Sequence, residues 1–428
     1  MGRGRVRRPP LHNPNRKLTF KFQNTVCQSD NSGKPSRGQH LASHPMANTS
    51  TARQTHKEKA SEAAHAFLKG PVLEYSNKRN FDFGYSDNRH VSRLSKYVSH
   101  RTISEYELIR STLDKHDYHK VEKFIQEIFW RIYWKGWLEM RPEVWTDFIG
   151  LPTSDNSSDL QAALKGNTGI KCFDSWVKEL RETNYLHNHA RMWFASIWIF
   201  TLELPWQLGA RFFLEHLADG DAASNTLSWR WVAGLQTKGK RYEASSYNIE
   251  TYTKGRFKET LVNENPKLEL KYKDYPVARK IPAANEKKHH ENLLIFENDL
   301  NFHGRENLYS SYKNIFVAIL PNDARHIRLS SSIIEYKKDL VVQFCEFFPN
   351  STILSSGLES TISSIKTFDI VYPFVGENLT FLDQLKSRTS IEYSYLFRHE
   401  DHISMQYCQK GFFQFKKNIP KILESLLC

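Results

Sequence analysis

The sequence predicts a mainly helical domain over residues 66–258 and a smaller α/β domain over 291–428, joined by a charged linker over 259–290 and preceded by a basic tail over 1–65. Three observations carry this division. From Ile103 to about Ser228 apolar residues recur three and four apart, the period of a helix with one buried face. After Phe257 short apolar runs alternate with amphipathic segments, the pattern of a parallel α/β unit. The first 60 residues are rich in Arg, Ser, Asn, Pro and Gly and show no sustained apolar period.

At 428 residues the chain exceeds the roughly 250–300 at which a single core stops growing, so two domains are expected. Its formal charge is +13, but residues 1–59 hold 12 Lys and Arg against only Asp30 and Glu58. The rest of the chain is therefore almost neutral, and a DNA-binding face on it must be a local patch. The tail is too poor in apolar groups to offset its chain entropy and is predicted to be disordered. Its composition suits a transit peptide, a stretch translated ahead of a true start at Met46, or a DNA-binding arm.

Within the helical region, Val121, Phe124, Ile125, Ile128, Phe129 and Ile132 form one stripe. Further helices are expected from Asn188 to Phe200 and from Trp206 to Leu217, the second ended by Asp219-Gly220-Asp221. Beyond the linker, Leu293–Phe296, Ile315–Leu320 and Ile370–Tyr372 are strand-like, with amphipathic Ser331–Phe348 between them. No GxGxxG follows the first of these strands, so a dinucleotide site there is unsupported.

Five cysteines stand far apart with no CxxC pair, which argues against a zinc or iron–sulfur site and suits a reducing, intracellular compartment. The apolar run Met192–Leu202 is too short for a membrane span and reads as a buried helix.

Four motifs are specific. Val91-Ser-Arg-Leu-Ser95, Glu127-Ile-Phe-Trp-Arg131, His187-Asn-His-Ala-Arg-Met192 and Asp219-Gly-Asp-Ala-Ala-Ser-Asn225 followed by Trp229-Arg-Trp231 stand in fixed order across the helical region. In order and near-spacing this set resembles the FAD-binding half of the DNA photolyase/cryptochrome family. The resemblance implies a mainly α flavin-binding domain of photolyase/cryptochrome type, followed here by the smaller α/β domain.

It also implies roles. Tyr75 opens a phosphate-binding segment in which Ser92, Arg93, Leu94 and Ser95 offer hydroxyls, a guanidinium and backbone amides, a donor set suited to a pyrophosphate. Arg191 and Asp219 match a buried pair beside the isoalloxazine ring with Asp221 near it, Arg131 is a further cofactor-binding residue, Asn225 faces the ring's N5, and Phe124 stands where a flavin-contacting Trp is common. Trp206 and Trp229 fall at two positions of the family's electron-hopping chain. The outermost tryptophan has no counterpart between Trp145 and Trp176, and Trp145, Trp193 or Trp198 are the substitutes on offer.

For substrate, Glu127, Trp130, Asn188, Met192 and Trp231 match the family's cyclobutane-dimer pattern, in which a flipped lesion stacks on tryptophans and meets a carboxylate and an amide at its edge. Histidines that would mark the 6-4 lesion are replaced by Asn188 and Met192. His189 stands where an arginine is usual, removing a fixed charge. The implied activity is light-driven, FAD-dependent repair of pyrimidine dimers in damaged DNA by a monomer; the alternative is a blue-light sensor with a signalling partner. Leu293–His303 is faintly similar to the start of the family's antenna domain, usually placed ahead of the flavin domain. Its chromophore is unknown, and an ordinary α/β domain is the other reading.

Overall fold

The structure is a computed structural model that describes residues 54–427 apart from Asn88. The expected disorder of residues 1–53 lies outside the described residues, but the expectation for 54–65 is corrected. A helix runs from His56 to Lys69, started by a capping box in which the Thr55 hydroxyl accepts from Glu58 N–H and the Glu58 carboxylate accepts from Thr55 N–H. Ala60, Ala64, Phe67 and Leu68 bury its inner face. A four-residue cap and a stripe of small residues were masked by the tail's overall composition.

The helical body is built around Tyr118–Glu139. Its predicted stripe is buried at all six positions, from Val121 to Ile132. Pro71–Lys78, Glu105–Leu113, Ala222–Val232 and His399–Met405 pack around it. The last of these and the turn after it come so close at Gly136 that an added Cβ would stand 2.9 Å from the Met405 side chain and 2.7 Å from Cys408 Sγ. Only glycine allows that approach.

The expected helix over Asn188–Phe200 is α-helical to Ser196 and widens into a π-helical turn over Ile197–Thr201. Trp206–His216 follows, then the turn through Asp219 and Gly220, then Ala222–Val232. Asp221 caps the last helix, its Oδ1 accepting from the N–H groups of Ala223 and Ser224, both at 3.0 Å. Gly209 is a second place of close approach, since a Cβ there would lie 2.3 Å from the Trp229 ring.

Five parallel strands form one sheet: β1 Asn292–Phe296, β2 Asn314–Ala318, β3 Ser351–Leu354, β4 Thr367–Val371 and β5 Glu392–Leu396, in the order β3-β2-β1-β4-β5. Leu293 and Ile295 face one apolar layer and Leu294 and Phe296 the other, so β1 is buried on both sides. That explains why β1, β2 and β4 were readable as unbroken apolar runs. The chain steps away from β1 in both directions, which makes the carboxyl end between β1 and β4 a topological switch point.

Two predicted boundaries change. The linker contains no regular strand but lies against the helical body: Arg141 Nε donates to Tyr275 O at 2.9 Å and Ala278 N–H to Met140 O at 2.9 Å. The α/β region does not continue to 428 as a separate layer. After β5, helices His399–Met405, Phe412–Lys416 and Ile419–Leu427 return to the helical core, where Phe415, Ile419 and Ile422 are buried with Val121 and Ile125. Among the described residues no helix is long and apolar enough to cross a membrane.

Candidate functional site

Arg191 projects from the first turns of Asn188–Ser196, and Asp219 from the turn before Ala222–Val232. Arg191 Nη2 donates to Asp219 Oδ2 at 2.9 Å while its Nε donates to Leu186 O at 2.9 Å. Asp219 is buried, and its other oxygen, Oδ1, has no partner. A buried carboxylate oxygen without a donor costs free energy that a ligand N–H would recover.

Arg131 stands on the long helix between two carboxylates. Its Nε donates to Glu105 Oε1 at 3.0 Å, and its Nη1 donates to Asp221 Oδ2. The remaining nitrogen, Nη2, is buried without a partner. Arg131 thus offers one free donor, and Asp219 one free acceptor.

Glu105 continues into a buried charge network. Arg101 Nε lies 3.2 Å from Glu105 Oε2, and its two terminal nitrogens grip Asp401 at 2.6 and 2.7 Å. Asp299, at the end of β1, is 3.3 Å from Arg101 and is also held by Arg398. Burial raises the Asp401 carboxyl, but Arg101 overrides it and holds it down at about 2. Burial, aided by the Arg101 charge, pushes Lys135 down to about 8. Arg101 is fully buried with φ of +52°, a left-handed conformation that costs an L residue about 1–2 kcal/mol.

The phosphate segment is partly built. Ser92 and Ser95 are partly exposed, Leu94 is buried, and Ser95 opens a short helix to Ser99. Arg93, also left-handed, is committed elsewhere: its guanidinium lies 4.1 Å from the Tyr85 ring and 4.5 Å from the Tyr185 ring. Phe124 is buried between Phe67 and Tyr75, at 5.1 and 5.2 Å. Asn225 is buried with its amide nitrogen donating to Ala210 O at 2.9 Å.

Of the five substrate positions, Asn188 is exposed and Met192 partly so. Glu127 is partly exposed, 2.8 Å from Lys123 Nζ and 3.7 Å from Arg79. Trp231 stacks on Tyr242 at 5.7 Å. Trp130 is covered by Phe412, the two rings 3.5 Å apart and 10° from parallel. His189, buried, stacks on Trp193 at 4.1 Å and meets the carbonyl of Asn80.

The predicted electron-transfer tryptophans are both buried. Trp229 sits edge-on to Trp198 at 6.3 Å, and its indole nitrogen has no partner. Trp206 stacks on Phe148 at 5.4 Å, and Phe148 meets Trp145 at 5.6 Å. Trp198 thus contacts a predicted member directly and Trp145 reaches one through Phe148, whereas Trp193 packs with Trp176 and His189.

A cavity of about 90 Å³ opens beside Arg131, Lys135, His100 and Asp221 and is closed on the other side by Glu297 and Asn298 after β1 and by Pro373–Asn378 after β4. It therefore lies at the sheet's switch point. Among the described residues no cluster suits a metal ion. Glu105, Arg101, Lys135, Asp299 and Asp401 were not singled out in the sequence; only their charge within apolar stretches hinted at them, and the partners of Arg101 lie up to 300 residues away.

The residues suit a flavin dinucleotide by the chemistry of their donors and acceptors. A dinucleotide brings anionic oxygens for the free Arg131 nitrogen and a ring N–H for the free Asp219 oxygen. Comparison with known proteins agrees. The family described as the FAD binding domain of DNA photolyase matches residues 124–293. A deoxyribodipyrimidine photo-lyase of Streptomyces griseus is 32% identical over 196 residues, covering 42% of each chain. That of Escherichia coli is 28% identical over 212 residues, 46% of this chain and 44% of its own. A solved class III photolyase from Agrobacterium tumefaciens shares 26% identity over 46% of this chain and 42% of its own, with a TM-score of 0.41. The chain spans less than half the length of these relatives. Over residues 124–293, therefore, the chain is similar to the FAD-binding domain of DNA photolyases.

Proposed function

We propose that the chain is a light-driven photolyase that repairs cyclobutane pyrimidine dimers in DNA with FAD. The observation that carries this reading is the free donor on Arg131 and the free acceptor on Asp219, each fixed by an ion pair within the region matched to flavin binding. The name shared by the curated relatives supplies the reaction class.

Bound and reduced FAD supplies an electron to the dimer when lit. The chain's residues bind and orient. Arg131 and Arg191 donate, Asp219 and Asp221 accept, and the segment at Ser92 and Ser95 provides hydroxyls for phosphate oxygens. On the DNA side, Asn188 and Glu127 meet the base edges, while Met192 and Trp231 offer apolar contact.

A second reading, a light sensor without repair, is favoured by one observation: Phe412 already stacks on one ring face of Trp130. The test is to load the full chain with FAD, reduce it, and count dimers in an oligonucleotide under blue light. Dimer loss that depends on light supports repair. Intact dimers with flavin bound overturn it in favour of the sensor.

A further inference from the structure

We propose that Glu105 and Arg101 are positioning residues for the flavin, and that through them the carboxylates Asp299 and Asp401 tie flavin binding to the segment after β1 and to the helix after β5. The inference rests on the flavin reading above. Neither Arg101 nor Glu105 lines the cavity at Arg131, so both act through other side chains.

The geometry begins at Arg131. A guanidinium is a rigid planar fork, and two anchored nitrogens fix where the third one points. Glu105 anchors Nε from the Glu105–Leu113 helix, and Asp221 anchors Nη1 from the cap of Ala222–Val232. The direction of the free Nη2 is thereby fixed. Removing Glu105 leaves one anchor and a fork that can turn.

Glu105 itself needs a counter-charge, because it is fully buried. Arg101 supplies it at 3.2 Å, yet the two groups are not aligned for a hydrogen bond, so Glu105 keeps its one well-formed bond for Arg131. Arg101 is held off by a stronger grip on the far side: Asp401 takes both terminal nitrogens and Asp299 lies 3.3 Å away. Those carboxylates come from the helix after β5 and from the end of β1. The left-handed backbone at Arg101 directs the side chain into this gap and persists because the buried charges hold it.

Charges balance across the set: Arg101, Arg131, Arg398 and Lys135 face Glu105, Asp221, Asp299 and Asp401. Neutralising Asp401 frees Arg101 to draw Glu105 off Arg131. Neutralising Glu105 leaves Arg131 under-compensated, which favours electron gain by a neighbouring group.

The test uses the full chain and its variants Glu105→Gln, Asp401→Asn and the charge-balanced pair Arg101→Gln with Asp401→Asn. FAD affinity is read by fluorescence titration, the midpoint potential of the bound flavin by dye equilibration, and folding by circular dichroism. Expected are roughly tenfold weaker binding in each variant and a more positive potential in Glu105→Gln. A purely structural role would weaken binding but leave the potential of the remaining bound flavin unmoved, and that result overturns the proposal. So do wild-type affinity and potential in the folded variants. If a single variant does not fold, the balanced pair must still show the loss of affinity, or the proposal falls. Failure of the wild-type chain to bind FAD would instead remove the flavin reading itself.

Discussion

Phe412 lies flat on Trp130, ring centroids 3.5 Å apart and planes 10° from parallel, so the chain supplies its own stacking partner to a tryptophan assigned to substrate. Phe412 is buried while the next residue, Phe413, is 80% exposed. One ring is thus drawn inward and its neighbour left in solvent.

If Trp130 stacks on a flipped base, that base competes with Phe412. Phe412→Ala is expected to tighten binding of dimer-containing single strands by roughly tenfold, the scale of one base–aromatic stack. Fluorescence anisotropy on wild-type and variant chains checks it. Unchanged or weaker binding would assign Trp130 to internal packing.

The Arg191–Asp219 pair makes an asymmetric prediction. Arg191→Ala leaves Asp219 buried without any partner, whereas Asp219→Ala leaves Arg191 partly exposed and still bonded to Leu186 O. Both should lose stable flavin, and Arg191→Ala should cost more stability, about 3–5 kcal/mol. Urea midpoints and flavin absorbance after gel filtration measure both effects.

Lys135 predicts a pH dependence. Its folded pKa is near 8, below the roughly 10.4 of an unfolded lysine. Between these values the unfolded chain binds more protons, so stability rises with pH through that window, by on the order of 3 kcal/mol from this group. Lys135→Met should abolish that rise. Urea midpoints of both chains at pH 7.5 and 10 test it, and parallel shifts would contradict it.

Glu127→Ala should keep flavin and fold, because Glu127 is partly exposed and meets only Lys123 and Arg79. Repair, in contrast, should fall by roughly a hundredfold if the carboxylate meets the dimer in the reacting geometry. Light-dependent repair rates at saturating DNA decide it.

What the sequence disclosed follows from locality. The stripe from Val121 to Ile132, the turn at Asp219–Asp221 and the inner strands β1, β2 and β4 were legible because each is set by neighbours within a few residues. The edge strands β3 and β5 escaped notice, being short and polar. The Arg101–Asp401 and Trp130–Phe412 contacts were invisible for another reason. Each joins residues nearly 300 apart, and nothing in the local pattern of either segment names its partner. Arg93 was legible as a cation near a helix start, but its capture by Tyr85 and Tyr185 was not.

The most direct test of the central claim is an equilibrium titration of the full chain with FAD, followed by flavin fluorescence, beside the same titration of Arg131→Gln. The account predicts saturable binding of one FAD per chain and loss of most affinity in the variant. Equal binding by both chains, or none by the wild type, would contradict it.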